Sequence, residues 1–374
     1  MVNKINLKVA HIGCPYFPYL GGSTKRLSKL AELIYSKEGF QQYLVTPSLS
    51  RDCSKDDLYF YEVLRNEKVN NFGFIYDIFN FIKKNDIDIV VFHNSRVLLN
   101  WFLFYHFRLP HVKILVEIHS FRDDSKFKKI VNSFLYKKSD GVVHLSRSSE
   151  DYMARNYFNN NNHVIYNGIN VVGTGNKTSN YNPDKIRLCY VGSFHDWQGV
   201  NIICENILSL GSDYWLNNEI YLIGDGPELN LIRNKLSPFV NKGAKVFIVG
   251  WKDSVYIESI IKDTDYLLST RPSTTATETV FPLKIVDSVN YNVPLLCTDV
   301  GGLKEILHEK NAAFYIDKTN LYSMAAFLRN PPDKKCYNKV KSNLLDLKDS
   351  LDTWHYSAEK YLSLFKEVCS DIKK

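Results

Sequence analysis

The sequence predicts an α/β protein of two domains, each a parallel sheet with helices on both faces. Three observations carry this. The chain has 374 residues, more than the roughly 250–300 over which a single core keeps growing. Short runs of branched apolar residues alternate with helical patterns, as parallel strands buried on both faces require. That alternation breaks once, over 171–184, where Gly, Asn, Thr, Ser and Lys replace apolar residues and a linker is expected.

The first set of strands begins at Leu7–Gly13 and continues with Gln42–Thr46, Ile87–Asn94, Val112–Ser120, Gly141–Ser146 and His163–Gly168. A helix is read after Gly21 and Gly22, with Leu27, Leu30, Ala31 and Ile34 on its apolar face, and another over Phe72–Lys84. The diglycine opens the first of these helices, where an anion can sit, although such a pair is more often only a turn. The second set runs through Ile186–Gly192, Glu219–Pro227, Lys245–Gly250, Tyr266–Ser269 and Val293–Thr298. After Lys318 only helices are expected. The last carries Trp354, Ala358, Tyr361, Leu362 and Phe365 at helical spacing. Ligands of such sheets bind beyond the carboxyl ends of the strands, where His93, His119, Ser193, Asp225 and Glu278 fall.

Composition narrows the function. The net charge of +7 suits an anionic ligand or surface without demanding one. The cysteines are 7, scattered and without metal-ligand spacing, which points to reduced thiols rather than disulfides or zinc. Met1-Val-Asn-Lys leads straight into a strand, and no apolar run reaches the roughly 18 residues of a membrane span. A cytoplasmic protein, held at a membrane by its surface at most, is expected. No nucleic-acid module is present, and the 24 tyrosines form no stacking pattern.

The stretch from Thr277 to Ser288 is the richest in chemistry. A strand ends at Arg271-Pro272, a loop holds Glu278 and Lys284, and a helix follows with Asp287 in its first turns and Asn292 as its stop. Free backbone N–H groups and a positive helix end suit a polyanion, and a carboxylate one turn in can take sugar hydroxyls. This is the outline of a nucleotide-sugar site.

With these pieces placed, the chain resembles a GT-B-fold glycosyltransferase of the retaining family 4 (glycosyl transferases group 1) kind. The resemblance runs from Gly21-Gly22 to Trp354, through Glu117-Ile-His119, Ser139–Ser146, Val164–Asn170, Tyr190-Val-Gly192, Leu222–Pro227, Val246–Gly250 and Pro294–Glu305. None of these is specific alone, but their order and spacing are. The resemblance implies an acceptor-binding Rossmann-like domain over 1–180, completed by a C-terminal helix near 355–374. It implies a donor-binding domain over 181–354, with the two sheets facing across a cleft. It places His119 by the donor sugar, Asp287 on the ribose hydroxyls, and Gly250 and Trp251 against the base. Glu278 falls near the sugar hydroxyls, and Lys284, like Arg271, near the diphosphate. Phe281, Pro282 and Leu283 belong to the variant "FPLK" form of the motif.

Two departures stand out. Where the family carries an Arg and a Lys after "yvG", this chain reads Ser193-Phe-His-Asp-Trp-Gln-Gly199, so Ser193 and Gln198 replace the cations and His195 is left as a donor near the phosphates. In the paired-glutamate motif Asp287 takes the second place, and Thr279 stands eight residues before it, with Glu278 one position early.

The expected activity is transfer of a hexose or N-acetylhexosamine, with retention, from a UDP-sugar (GDP being the alternative) to a lipid-linked or polysaccharide acceptor. It needs no cofactor or metal. The rivals are a non-catalytic GT-B partner of another transferase and a GT-B sugar-nucleotide epimerase. A nicotinamide dehydrogenase is disfavoured by the lack of a dinucleotide fingerprint. The stripe Phe127, Ile130, Val131, Phe134 and Leu135, with Lys126, Lys128, Lys129, Lys137 and Lys138 around it, has two readings. It is a face packed on the first sheet, or, with the aromatic run Trp101–Phe107, part of a peripheral membrane contact through 100–138. Oligomeric state is left open.

Overall fold

The computed structural model describes residues 6–17, 21–47, 58–65, 72–93, 109–157, 161–170 and 181–370. The run Trp101–Phe107 and most of the expected linker lie outside them. Contacts divide the chain into two compact units: residues 1–168 with 279–281 and 352–374, and residues 169–278 with 282–351. The break thus falls at Gly168, ahead of the polar stretch at which the sequence placed it.

The first unit is built on a seven-stranded parallel sheet. Its strands are β1 (Leu7–Ile12), β2 (Phe40–Thr46), β3 (Glu62–Arg65), β4 (Ile89–His93), β5 (Lys113–Ile118), β6 (Gly141–His144) and β7 (Asn162–Val164), in the order β3-β2-β1-β4-β5-β6-β7. Strand β3 went unread because Glu62-Val-Leu-Arg65 is short and half-buried throughout, as an edge strand is. Helices α1 (Gly22–Tyr35), α2 (Phe72–Asn85), α3 (Lys126–Lys138) and α4 (Arg147–Asn156) follow the strands, and the last helix, Trp354–Cys369, completes the unit. In α1 the spacing of Leu27, Leu30, Ala31 and Ile34 buries one face, as its 3.6-residue period predicts. Trp354, Ala358, Tyr361, Leu362 and Phe365 do the same for the last helix.

The reading of α3 as a core-packed stripe is overturned. Ser125 caps this helix through Lys128 N, and the face it buries holds Asn132, Ser133, Leu135 and Tyr136. Phe127 (74%), Ile130 (70%) and Phe134 (61%) face solvent. A stripe read from period alone says that a helix has an apolar side, not what covers it.

The second unit holds a six-stranded parallel sheet. Its strands are β8 (Arg187–Val191), β9 (Glu219–Ile223), β10 (Val246–Gly250), β11 (Tyr266–Ser269), β12 (Leu295–Thr298) and β13 (Ala313–Ile316), ordered β10-β9-β8-β11-β12-β13. Around it lie α5 (Val200–Leu210), α6 (Leu229–Asn241), α7 (Ser254–Lys262) and α8 (Lys284–Tyr291), among other helices. Asn292 ends α8 in the left-handed region at φ 52°, a conformation asparagine tolerates better than most residues. Among the described residues no helix is long and apolar enough to cross a membrane.

Candidate functional site

In the second unit two glycines set the geometry at the strand ends. Gly224 closes β9 at φ 141°, and a Cβ there would stand 1.8 Å from Gly192 O, so only glycine lets the two loops touch. Gly199, at φ 79°, lies so close to Thr270 that a Cβ would meet its carbonyl oxygen at 1.9 Å. Thr270 Oγ1 donates to Gly199 O at 2.9 Å. These contacts hold the Ser193–Gly199 loop against the residue that precedes Arg271.

Arg271 is thereby clamped. Its Nη2 donates to Gln198 Oε1 at 2.8 Å, and its guanidinium lies 5.5 Å from the Trp197 ring centre. The side chain is 5% exposed, yet Nε and Nη1 have no hydrogen-bond partner. Burial lowers its pKa to about 10. Lys284, first residue of α8, is also buried, with Nζ 3.9 Å from the Tyr190 ring centre and no hydrogen-bond partner. Burial first, then the Arg271 charge, push its pKa well below the ordinary lysine value. Burying such groups without an acceptor is costly, and Arg271 and Lys284 are both buried with nitrogens that have no acceptor.

The surrounding sequence-predicted residues take varied places. Asp287 sits in the first turn of α8, half-buried and near enough to Lys284 to favour its charged form. His195 stacks on Trp197 with ring centres 6.2 Å apart. Ser193 accepts at its backbone oxygen from Tyr190 Oη at 2.7 Å. Gly250 ends β10 and accepts from Gly224 N at 2.9 Å, and Trp251 after it is exposed. Asp225 has the role of a turn residue, Oδ1 accepting from Gly226 N at 2.7 Å. Pro282 and Leu283 lead into α8. Phe281 groups with the first unit instead, buried with its ring 5.8 Å from that of Tyr166. Glu278 is already engaged: Oε1 accepts from Ser273 Oγ at 2.6 Å and from Lys318 Nζ at 3.1 Å, and Oε2 from Gly301 N at 3.1 Å. Partial burial opposes its charge, but these donors hold its pKa below the usual value.

The first unit contains a second constellation, which sequence reading saw only in part. The β4–β5 register pairs His93 with Glu117. His93 Nδ1 lies 3.1 Å from Glu117 Oε1, and its Nε2 lies 3.0 Å from His11 Nδ1. His119 Nε2 is 2.8 Å from Glu117 Oε1, close but without the alignment of a hydrogen bond. On the other carboxylate oxygen Arg26 Nε donates at 3.2 Å, and Tyr361 Oη of the last helix is also a partner. Arg26 further donates to Tyr166 O, Asn167 Oδ1 and Ile165 O. Burial alone would raise the Glu117 pKa, but Arg26 and His93 hold it well below the usual carboxylate range. Burial and the neighbouring His93 drop the His11 pKa to about 3, so that ring is neutral. Gly21 and Gly22 open α1, which carries Arg26 into this cluster. Sequence reading named His93 and His119 but passed over His11, Arg26, Glu117 and Tyr361. The two-residue spacing of Glu117 and His119 at a strand end was the available signal.

Family models describe most of the chain. Residues 20–172 match Glycosyltransferase Family 4, and residues 185–330 match Glycosyl transferases group 1. The chain belongs to the GT-B glycosyltransferases of the family 4 type. An uncharacterised glycosyltransferase of Methanocaldococcus jannaschii is 22% identical, over 94% of this chain and 96% of that protein. Among solved structures, sucrose-phosphate synthase from Thermosynechococcus elongatus matches with a TM-score of 0.76 at 15% identity, covering 98% of this chain and 100% of that one. Anabaena HepE in complex with UDP-glucose matches at 0.74 and 14% identity, covering 96% and 100%. WaaG, a glycosyltransferase involved in lipopolysaccharide biosynthesis, matches at 0.68 and 16%, covering 96% and 99%. At these identities the structures speak for the GT-B fold alone. This glycosyltransferase is therefore a transferase enzyme, and the reading as a non-catalytic partner gives way.

Proposed function

We propose that this glycosyltransferase moves a hexose or N-acetylhexosamine, with retention, from a UDP-sugar to a lipid-linked or polysaccharide acceptor. The observation that carries the donor is the buried pair Arg271 and Lys284, with Nε, Nη1 and Nζ free of hydrogen-bond partners. They stand in for the Arg and Lys that the loop after β8 lacks, and Gln198, at one of those two positions, holds Arg271 instead. As the glycosidic bond to the acceptor oxygen forms and the bond to the diphosphate breaks, these cations stabilise the charge on the leaving group. In the bound state both side chains carry positive charge and do this without a metal. Asp287 takes the ribose hydroxyls, and UDP is favoured over GDP because HepE binds UDP-glucose in the same fold.

Calorimetric titration with UDP and then GDP tests this. Micromolar binding of one nucleotide, weakened at least about tenfold in Asp287→Ala by loss of a charged hydrogen-bonding group, is expected. His119→Ala is expected to spare that affinity and lower turnover, read as hydrolysis or transfer of the UDP-sugar. Unchanged binding in the first variant and unchanged turnover in the second would remove these assignments.

The lipid-linked acceptor gains support from α3, whose solvent-facing Phe127, Ile130 and Phe134 are interleaved with lysines. Such a helix lies on an anionic bilayer, each basic residue contributing about 1 kcal/mol near the surface. We place the enzyme at the cytoplasmic face of a membrane on this ground. Sedimentation with vesicles of phosphatidylglycerol and phosphatidylcholine is expected to carry it down, and Phe127→Ser with Phe134→Ser to release it. Equal recovery with neutral vesicles would count against the charge component, and no recovery against the contact itself.

A further inference from the structure

We propose that Lys284 meets the donor diphosphate as a neutral amine and takes up a proton as the ligand binds, so that nucleotide binding is coupled to proton uptake. This deepens the donor-site reading and rests on it. The geometry is the ground. The amine is buried, has no hydrogen-bond partner, and belongs to the first residue of α8, the positive end of a helix. Among the described residues, four titratable groups act on it. From β8 come Cys189 and Tyr190, from the end of β11 Arg271, and from α8 itself Asp287.

Of these, Arg271 disfavours a second positive charge. Burial lifts the Cys189 thiol to about 12 and raises the Tyr190 hydroxyl as well, so both stay neutral. That leaves the Tyr190 ring face and the half-buried Asp287 to favour the ammonium. They face two opposing effects, desolvation and the guanidinium, and the displacement of the Lys284 pKa well below its ordinary value agrees with that balance. A diphosphate brings negative charge and acceptor oxygens to both cations and reverses it. The amine lone pair then takes a proton, forming an N–H bond as the O–H or N–H bond of the donor, hydronium or the buffer's acid form, breaks. Arg271 is thus the permanent cation of the pair, and Lys284 the one that charges only on demand.

The coupling has a direct readout. At pH 8.5 the terminal phosphate of UDP is fully ionised, its second pKa lying near 6, so the nucleotide itself contributes no uptake. Titrations of UDP and of GDP in Tris and in bicine, buffers of different ionisation enthalpy, give the protons exchanged. The wild type is expected to take up protons, up to one per bound nucleotide, and its affinity to fall as pH rises, by up to about tenfold per unit. Lys284→Arg, charged throughout, and Lys284→Met, never charged, are both expected to take up none, with thermal melting showing that each is folded. Nucleotide binding without uptake in the wild type would overturn the coupling and leave the donor site standing, and so would uptake that persists in both variants. Failure of UDP and GDP alike to bind would overturn the donor-site reading, and the coupling with it.

Discussion

Arg271→Ala is expected to weaken UDP binding by roughly 10- to 100-fold, since a charge-assisted contact is worth about 1.5–3 kcal/mol. The loss should be specific to the diphosphate. Uridine, which lacks phosphates, is expected to bind wild type and variant alike. The reason lies in how the side chain is held. Gln198 Oε1 takes one nitrogen at 2.8 Å, and Trp197 lies against the guanidinium, so Nε and Nη1 are pre-oriented and meet a ligand with little ordering left to do. Gln198→Ala should therefore weaken binding as well, but less, because it loosens the arginine without removing its charge. Stability should move the other way or stay put, since Arg271 is a buried cation with two of its three nitrogens idle. Equal UDP affinity in wild type and Arg271→Ala would mean that the diphosphate lies elsewhere, and the replacement of the missing loop cations by Arg271 and Lys284 would fall with it.

Glu117→Ala should destabilise the fold by about 3–5 kcal/mol, the cost of leaving one partner of a buried ion pair without its counter-charge. Arg26 and Glu117 are each only 1% exposed, and the pair joins α1, β5, the residues after β7 and the last helix through Tyr361 and the carbonyls of Ile165 and Tyr166. Thermal and urea unfolding followed on the first unit's tyrosines would measure it. Replacing Arg26 and Glu117 together by methionine should recover much of the loss, because an apolar pair leaves no orphaned charge. The pH dependence has a definite sign. The folded-state pKa of Glu117 lies well below its ordinary value, so its contribution is complete above that ordinary value and is lost as pH falls toward the folded one. The wild type should therefore lose stability in mild acid more steeply than the double methionine variant. Parallel acid profiles in the two proteins would show that this pair does not carry the effect.

The two clusters were unequally legible. His119 stood out because a strand end plus a histidine is a local pattern. Glu117, two residues before it, could have been read with it, but Arg26 and Tyr361 could not, because they lie on α1 and the last helix and only the packing of those helices brings them to Glu117. Glu278 was legible as an acid in a loop, yet its carboxylate turned out to be occupied by Lys318, Ser273 and Gly301 N, partners that come from both directions along the chain.

What the sequence determined by itself was the α/β class, the division into two parallel-sheet units, the placing of polar residues at strand ends and the membership of a glycosyltransferase family. The first three follow from period, from glycine and from turn residues, which act over a few positions of chain; the family entered through the resemblance of the ordered motifs. Only the tertiary structure decided that the apolar stripe of α3 faces outward and that Arg271 rather than the loop after β8 supplies a buried cation. It also decided that Lys284 lies under Tyr190 with no acceptor in reach. Burial and the company of other charges depend on the packing of distant segments, and a local pattern carries no record of either.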